Sequence, residues 1–426
     1  MSFQQGLSGL NASSKNLDVI GHNIANSNTV GFKASRAEFA EMVASAIGSS
    51  GGTNAGIGVE VAAVSQQFTQ GNLSITGNSL DVAINGNGFF SLQLPDGTAA
   101  YTRAGNFKLD KVGNMITNDN AKVMGYPVDP ATGLRTGTDP IPMVFPTSEP
   151  IPAKQTTKIT AAFNLDARAT DAAGDPAATP PVPATPRATY GTSINVYDSQ
   201  GVAKPVSLYF QKTATDNTWD VYDQLDDPTA VPPVVATPIG QIEFDNNGAI
   251  ISPVAPAPAT GFSLPLTINP TPPNPNNLPT YNVDVSLDKV TQFGTKFAVS
   301  NLTQDGYTAG ELTGINIENN GMIMTRYSNG VTRAEGQIAL SSFRNTQGLA
   351  SVGGNNWVAT FESGQPVVGT ATDGNFGSLR SGALEDSNVD LTAELVNMMT
   401  AQRSYQANAQ TIKTQDQVMS TLVNLR

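Results

Sequence analysis

Few residues in this 426-residue sequence could perform chemistry, and those that could are isolated from one another. His22, the only histidine, lies between Gly21 and Asn23, and the chain contains no cysteine. A zinc site or a Ser-His-Asp triad therefore has little to draw on, and thiolate chemistry has nothing. These counts predict that the chain has no catalytic site, no metal site and no cofactor.

Three other local patterns are too weak to indicate a reaction. Residues 245–248, Asp-Asn-Asn-Gly, resemble the start of a calcium loop but lack its bidentate glutamate, so a tight turn between strands is favoured. Residues 86–88, Gly-Asn-Gly, precede Phe89 and open no helix, unlike a dinucleotide-binding loop. Adjacent carboxylates at 226–227 and 385–386 belong to no recognisable motif, although sequence spacing alone leaves a glycosidase-like pair open.

Composition excludes further classes of function. Lys and Arg number 23 and Asp and Glu number 35, which gives a net charge of −12, and charged residues make up only 14%. Nucleic-acid binding is disfavoured, because phosphates require clustered basic residues. No apolar run approaches the ~18 residues of a membrane span, and the N-terminus lacks the basic and apolar regions of a secretory signal, so neither membrane insertion nor a cleaved signal is expected.

Proline divides the chain into a proline-rich middle and two ends that are free to form helices. Of 28 prolines, 26 lie between Pro127 and Pro279. At both ends, residues recur at alternating spacings of four and three, which predicts amphipathic helices. The large or apolar members of these stripes are the predicted assembly residues: Phe3, Leu7, Leu10, Leu17 and Ile24 at the N-terminus, and Leu391, Leu395, Met398, Tyr405, Ala409, Ile412, Met419 and Val423 at the C-terminus.

The stripes are interrupted by Ser14, Gly21, Gln402 and Asp416, so one helix pair alone buries little apolar surface. We therefore expect the ends to be disordered or fraying in the free monomer and to become paired helices only in a polymer. Two ordinary surface helices remain the alternative. Ser387 or Asn388 is the predicted N-cap of the second helix.

The predicted fold class is α+β and multi-domain, but mostly β: terminal helices form a coiled-coil-like pair, and nested β-rich domains follow, with an outer domain inserted in an inner one. Residues 44–58 are rich in Gly, Ser and Ala and indicate a linker. Residues 172–185 indicate an exposed loop, and we expect deletion of 171–187 to leave assembly intact. The strongest strand signals in the middle are residues 193–197, 206–210, 219–222 and 281–287. The predicted domains are 1–28 with 383–426 (terminal helical domain), 29–70 (connecting arm), 71–145 with 304–382 (inner β domain) and 146–303 (outer inserted domain).

Two stretches at the ends are specific enough to indicate a family. Residues 8–12 with 16–33, and residues 382–391 with 394–399, 401–410 and 424–426, resemble the terminal signatures of the bacterial flagellar rod and hook proteins. Residues 81–84, 87–90 and 102–107 extend the resemblance into both flanking β pieces, while His22 stands where the family usually has Asn. The motif residues carried by the resemblance are Asn23, Ala25, Asn26, Gly31, Phe32, Asn388, Val389 and Asp390.

The resemblance implies a structural subunit that self-assembles into the tubular hook, with the terminal helices innermost and the inserted domain outermost. The implied partners are other copies of the chain, the distal rod, the hook cap, the hook–filament junction proteins and the flagellar export apparatus. The implied location is extracellular, in the flagellum, after type III export. A distal rod subunit and a secreted carbohydrate-binding or carbohydrate-degrading β protein remain the alternatives.

Overall fold

The structure is a computed structural model that describes residues 2–43, 56–130, 132–145, 150–171, 177–179, 187, 189–227, 235–255, 261–269 and 278–424. Helix α1 spans Ser2–Ala25 and helix α2 spans Leu391–Asn424. The remaining regular structure is almost all β-strand.

The strands fall in three consecutive runs along the chain. The first run is β1 (Ser35–Val43), β2 (Gly56–Gln66), β3 (Leu73–Ile75), β4 (Val82–Asn85), β5 (Phe89–Gln93), β6 (Ala99–Thr102), β7 (Lys108–Leu109), β8 (Met115–Ile116), β9 (Lys122–Pro127) and β10 (Ile141–Pro142). The second is β11 (Lys158–Asp166), β12 (Gly191–Tyr197), β13 (Ala203–Lys212), β14 (Thr218–Tyr222), β15 (Gly240–Phe244), β16 (Ile250–Ser252), β17 (Ser263–Ile268), β18 (Tyr281–Ser286), β19 (Thr291–Phe293) and β20 (Ala298–Gln304). The third is β21 (Leu312–Ile317), β22 (Met322–Tyr327), β23 (Thr332–Ser342), β24 (Ala350–Gly353), β25 (Asn356–Val358), β26 (Val367–Thr370), β27 (Ser378–Ser381) and β28 (Ala383–Glu385).

The first compact unit comprises Met1–Ser148, Leu312–Tyr327 and Thr332–Arg426. Its largest sheet has the order β21-β22-β23-β9-β5-β6-β25-β24, and β1 and β2 form a separate antiparallel hairpin. Because β27 pairs with β4 and β28 with β3, the strands that precede α2 are tied to strands from the N-terminal part of the chain. The core of the sheet includes Val82, Ile84, Phe90, Leu92, Phe107, Met115, Val123, Phe145, Ile323, Ile338 and Leu340.

The second unit comprises Glu149–Glu311 and Ser328–Val331. One sheet has the order β17-β18-β11-β19, with β20 also on β11, and the other has the order β12-β13-β14-β15-β16. Alternate residues of β11 are buried, as expected for a strand with one face on a core. That core includes Ile159, Phe163, Leu165, Val196, Leu208, Phe210, Trp219, Ile242, Leu266 and Val283.

Asp305 joins two segments of the second unit. It accepts hydrogen bonds from the amides of Thr157 and Lys158 at 2.8 and 2.9 Å, and it pairs with the Lys154 ammonium at 3.1 Å. Burial works to raise the pKa of Asp305, but these hydrogen bonds and one from the Thr157 hydroxyl outweigh it and lower the pKa from 3.8 to about 2. The carboxylate is therefore ionised at all but very acidic pH.

The mostly β, multi-domain fold class is confirmed, as are the four strands predicted in the proline-rich middle and the turn at 245–248. The predicted linker is partly wrong, because residues 56–58 begin strand β2 and the predicted arm contains a hairpin. Residues 44–55 lie outside the described residues. The predicted loop 172–185 also lies largely outside them.

Arg187, at the end of the segment proposed for deletion, is a packed residue. Its side chain is buried, it pairs with Asp226 at 2.8 Å, and its guanidinium lies 4.3 Å from the centre of the Tyr222 ring. The expectation that 171–187 is dispensable as a whole therefore needs correction at its last residue.

The predicted N-cap of α2 is wrong. Asp390 caps the helix, since its carboxylate accepts hydrogen bonds from the amides of Thr392 and Ala393 at 2.9 and 3.1 Å. The side chain of Asn388 forms other hydrogen bonds. The sequence could not distinguish the three candidates, because Asn, Ser and Asp side chains can all accept hydrogen bonds from the first amides of a helix.

Among the described residues, neither helix has a stretch that is apolar enough, over the length required, to span a membrane.

Candidate functional site

The most unusual feature of the first unit is a buried cluster of three charged side chains. Lys33 Nζ lies 2.6 Å from Glu385 Oε1, and Arg103 Nη1 lies 3.3 Å from Glu385 Oε2. The side chains of Lys33 and Glu385 have no exposed surface, and that of Arg103 is 5% exposed. Two cations therefore share one carboxylate, away from water.

Each of the three charged groups also forms a hydrogen bond with a backbone group. Lys33 Nζ donates to the carbonyl of Thr69 at 2.7 Å, and Arg103 Nη2 donates to that of Gly86 at 2.9 Å. Glu385 Oε1 accepts from the amide of Gly71 at 2.9 Å. Burial lowers the pKa of Lys33, although Glu385 acts against this shift. Burial likewise lowers the pKa of Arg103, again opposed by Glu385.

Asn388 forms a second polar link beside this cluster. Its Oδ1 accepts from the amide of Ala34 at 2.7 Å, and its Nδ2 donates to the carbonyl of Gln67 at 2.7 Å and to the Thr69 hydroxyl at 2.9 Å. One amide side chain therefore satisfies backbone groups on both sides of the β1–β2 hairpin. This explains an asparagine here, because its amide donates two hydrogen bonds and accepts one, whereas a serine or threonine hydroxyl has only one hydrogen to donate.

Asn23 connects α1 to both the hairpin and α2. It is almost fully buried, it accepts from the amide of Ser35 at 2.8 Å and it donates to the Ser35 carbonyl at 2.7 Å. The same Nδ2 lies 3.3 Å from Glu394 Oε1 on α2. A single side chain thus fixes the end of α1 against two other elements.

Gly31 occupies a position where only glycine fits without strain. Its φ is +70°, and a Cβ would lie 2.6 Å from the amide nitrogen of Ala104. Its own amide donates to the Glu385 carbonyl at 2.8 Å. Phe32, the next residue, is buried, and its ring centre lies 5.4 Å from that of His22.

The other motif residues have smaller roles. Asn26 closes the end of α1, with Nδ2 donating to the His22 carbonyl at 2.9 Å. Asp390 is the α2 N-cap, and the amide of Val389 lies 3.3 Å from the Ser387 hydroxyl. Ala25 is exposed.

Helices α1 and α2 are antiparallel and contact each other through small residues. A Cβ on Gly6 would lie 3.2 Å from Ile412 Cγ1, and one on Gly9 would lie 2.9 Å from Asn408 Nδ2. Ala12 on α1 and Ala401 on α2 are buried. The expectation that these helices pair only in a polymer is therefore wrong for the pairing itself, which occurs within one chain.

The predicted apolar stripes are only partly covered by this pairing. Successive helical residues are rotated by ~100°, so Leu7 points to one side of the contact made by Gly6. Phe3, Leu7, Leu391, Leu395, Tyr405 and Met419 are exposed, between 38% and 60%. Leu10, Leu17, Ile24, Met398, Ala409 and Ile412 are half-buried, and the side chain of Val423 lies outside the described residues.

A groove of about 810 Å³ lies beside the helix pair. Its lining combines both helices with the β1–β2 hairpin and includes Ala12, Ile20, Phe39, Val59 and Ala401. Both polar and apolar side chains line the groove.

Sequence reasoning found the motif stretches but missed the charged cluster. Lys33 and Glu385 are 352 positions apart, so their pairing has no local signal. One sequence feature indicates the cluster: each of its three members lies inside a motif stretch, in a chain with only 14% charged residues.

Comparison with known proteins shows where this architecture occurs. Four family models match: "Flagella basal body rod protein" at residues 3–33, "Flagellar hook protein FlgE/F/G D1 domain" at 83–163, "Flagellar basal body protein FlaE D2 domain" at 164–307 and "Flagellar basal body rod FlgEFG protein C-terminal" at 380–425. The flagellar hook protein FlgE of Escherichia coli (strain K12) is 44% identical over 435 residues, covering 100% of both chains. That of Borreliella burgdorferi is 33% identical, covering 100% of this chain and 99% of the relative.

A solved structure agrees at the level of the fold. The crystal structure of Helicobacter pylori flagellar hook protein FlgE2 superimposes with a TM-score of 0.52 at 16% identity, covering 73% of this chain and 100% of that one. Full-length identity to several hook proteins decides the family. The chain belongs to the flagellar hook protein FlgE family.

Proposed function

We propose that this chain is the structural subunit of the flagellar hook and that copies of it assemble into a tube, a flexible joint that transmits torque from the basal-body rod to the filament. The observation that carries the proposal is the exposed apolar stripe on α1 and α2. Large apolar side chains are left about half uncovered by the helix pair of one chain, and burial of the remaining surface against neighbouring copies would stabilise each by roughly 0.5–2 kcal/mol.

The 44% identity to a flagellar hook protein, over 100% of both chains, supports a hook subunit over the alternative of a distal rod subunit. The family is one of structural hook proteins, and the absence of enzymatic activity in this chain stays a prediction. We propose the same division into segments as the sequence predicts, with 1–28 and 383–426 innermost, 29–70 as the arm, 71–145 with 304–382 as the inner β domain and 146–303 outermost.

The finer statements on partners and location are also proposals. Membership of the hook family supports a place in the flagellum and contacts with other copies of the chain. We propose that the end copies contact the distal rod, the hook cap and the hook–filament junction proteins. We also propose that the chain leaves the cell through the flagellar export apparatus.

The test uses the full chain in a flagellated cell that lacks its own hook protein. We expect the chain to restore tubular hooks in electron micrographs, and Leu7→Asp to abolish them by placing a charge on the exposed stripe. Lys15→Gln is the matched control, because it shifts the charge of α1 by the same one unit at a side chain that is 69% exposed and lies outside the stripe. Failure of the exported wild-type chain to form hooks would contradict the proposed function.

If Leu7→Asp and Lys15→Gln both assemble normally, the stripe is not an assembly surface, even if the chain is a hook subunit. The two parts of the proposal can therefore fail separately. Circular dichroism of the purified variants checks that neither substitution unfolds the chain.

A further inference from the structure

The Lys33–Arg103–Glu385 cluster contributes little to the free energy of folding. Removing three charges from water is expensive, and the Coulomb attraction within a buried cluster rarely exceeds this desolvation penalty. The cluster also carries an excess positive charge, and Arg103 Nε is buried without a hydrogen-bond partner among the described residues. A well-packed apolar core of the same volume would stabilise the fold at least as well.

The cluster does fix the relative positions of several backbone segments. Through Thr69, Gly71 and Gly86 it holds the backbone that leaves the hairpin and the backbone beside β5, and Glu385 ends the strand that leads to α2. Hydrogen bonds between a charged side chain and a backbone group are directional and short-range, so these segments fit together in one arrangement. Apolar contacts at the same place would allow them to slide.

We propose that Lys33, Arg103 and Glu385 are positioning residues that set the orientation of the terminal helices relative to the sheet of the first unit, and thereby the curvature of the assembled hook. The inference rests on the proposed function. Every copy of the polymer contains the same cluster, so a change of angle alters all contacts between neighbouring copies. These contacts differ between the inner and the outer side of a bend, and their difference sets the curvature.

The test separates position from stability by comparing two variants. Glu385→Gln leaves two buried cations without a counter-charge, and we expect the melting temperature of the first unit to fall by roughly 5–10 °C. The triple variant Lys33→Met/Arg103→Met/Glu385→Gln removes all three charges, while the amide oxygen at 385 still accepts from Gly71. We expect its melting temperature to lie within about 3 °C of the wild type, since neutral replacements of buried ion clusters are often not destabilising.

The decisive readout is the shape of the hooks. We expect the triple variant to form hooks whose curvature in electron micrographs differs from the wild type, or to form none although the monomer is stable. Arg168→Met is the control, because it makes the same cation-to-methionine change at a side chain that is 64% exposed. Its hooks should keep the wild-type curvature.

Two results would overturn the inference. Wild-type curvature in the triple variant would show that the cluster does not set the geometry. A melting temperature as low in the triple variant as in Glu385→Gln would show that the charges hold the fold together. Neither result affects the proposed function, which fails only if the wild-type chain forms no hooks.

Discussion

Substitution of Gly31 by alanine is the sharpest test of the junction between the terminal segments and the sheet. Gly31 has a φ of +70°, in the left-handed region, and lies against the backbone of Arg103 and Ala104. An alanine there must accept an unfavourable backbone conformation and also displace a neighbouring strand end. Because the Gly31 amide donates to the carbonyl of Glu385, any shift also disturbs the charged cluster.

The expected loss of stability has two parts. A left-handed conformation costs about 1–2 kcal/mol for a residue with a side chain. The new Cβ would also lie 2.6 Å from Ala104 N and 2.8 Å from the Arg103 carbonyl carbon, atoms of a backbone that cannot rotate away. Overpacking of this kind costs a further ~1–3 kcal/mol, which gives ~2–5 kcal/mol for Gly31→Ala.

Gly77→Ala is the matched control in the same unit. Its φ is +77°, and a Cβ there would meet nothing within 4 Å, so only the conformational part of ~1–2 kcal/mol applies. The chain has two tryptophans, and Trp357 lies in the first unit while Trp219 lies in the second. Thermal unfolding followed by Trp357 fluorescence in a Trp219→Phe background therefore reports on the first unit.

At ~2–4 °C per kcal/mol, Gly31→Ala should lower the melting temperature by roughly 4–20 °C, and Gly77→Ala by roughly 2–8 °C. Equal effects of the two substitutions would refute the reasoning. That result would mean that the close approach of Gly31 to Arg103 and Ala104 imposes no constraint.

Three further predictions concern other parts of the chain. The stabilisation by Asp305, whose folded pKa of about 2 lies below the unfolded value of 3.8, is present above pH 4 and lost as the pH falls through 2. The destabilising effect of Asp305→Asn in urea unfolding should therefore disappear near pH 2, and a constant effect down to that pH would contradict the assignment. Deletion of 172–185 should leave hook assembly intact. Deletion of 171–187 also removes buried Arg187, so it should lower the melting temperature of the second unit, followed by Trp219 fluorescence. Equal melting temperatures of the two deletion variants would show that Arg187 does not contribute to stability. In hydrogen exchange, the amides of 395–412 should be protected far more in the hook than in the monomer, and strong protection in the monomer would show that the helix pair is stable without neighbours.

The sequence predicts the extent of the terminal helices well but not the face through which they meet. Helix α1 ends at Ala25 and α2 runs from Leu391, close to the periodic stripes, because periodicity is a local property. The contact face depends on how closely two backbones can approach, and Gly6 and Gly9 permit a contact that large side chains would prevent. Glycine and alanine carry almost no signal in a hydrophobic pattern.

The hairpin and the charged cluster were unpredictable for a different reason. Strand β1 contains two glutamates and an arginine among apolar residues, and its connection to β2 is too long for the spacing of a tight hairpin turn. Only the tertiary contact with α1 therefore distinguishes β1 from a linker. The cluster joins residues that are hundreds of positions apart. They come together only because β3 and β28 pair, which brings Glu385 next to Gly71.

The terminal helices have two faces, and their residue types indicate two kinds of partner. On the face that packs against the rest of the same chain, small side chains allow a close approach, and the buried amide of Asn23 forms directional hydrogen bonds that specify one arrangement. On the other face, Phe3, Leu7 and Leu395 are exposed and can make only non-directional apolar contacts. A tube that bends requires contacts between subunits that tolerate sliding, while each subunit keeps its own shape. Exposed apolar side chains on the terminal helices allow sliding between subunits, because the free energy of apolar burial depends on area. Hydrogen-bonded polar groups between the helices and the rest of the chain preserve the shape of each subunit, because the free energy of a hydrogen bond depends on geometry.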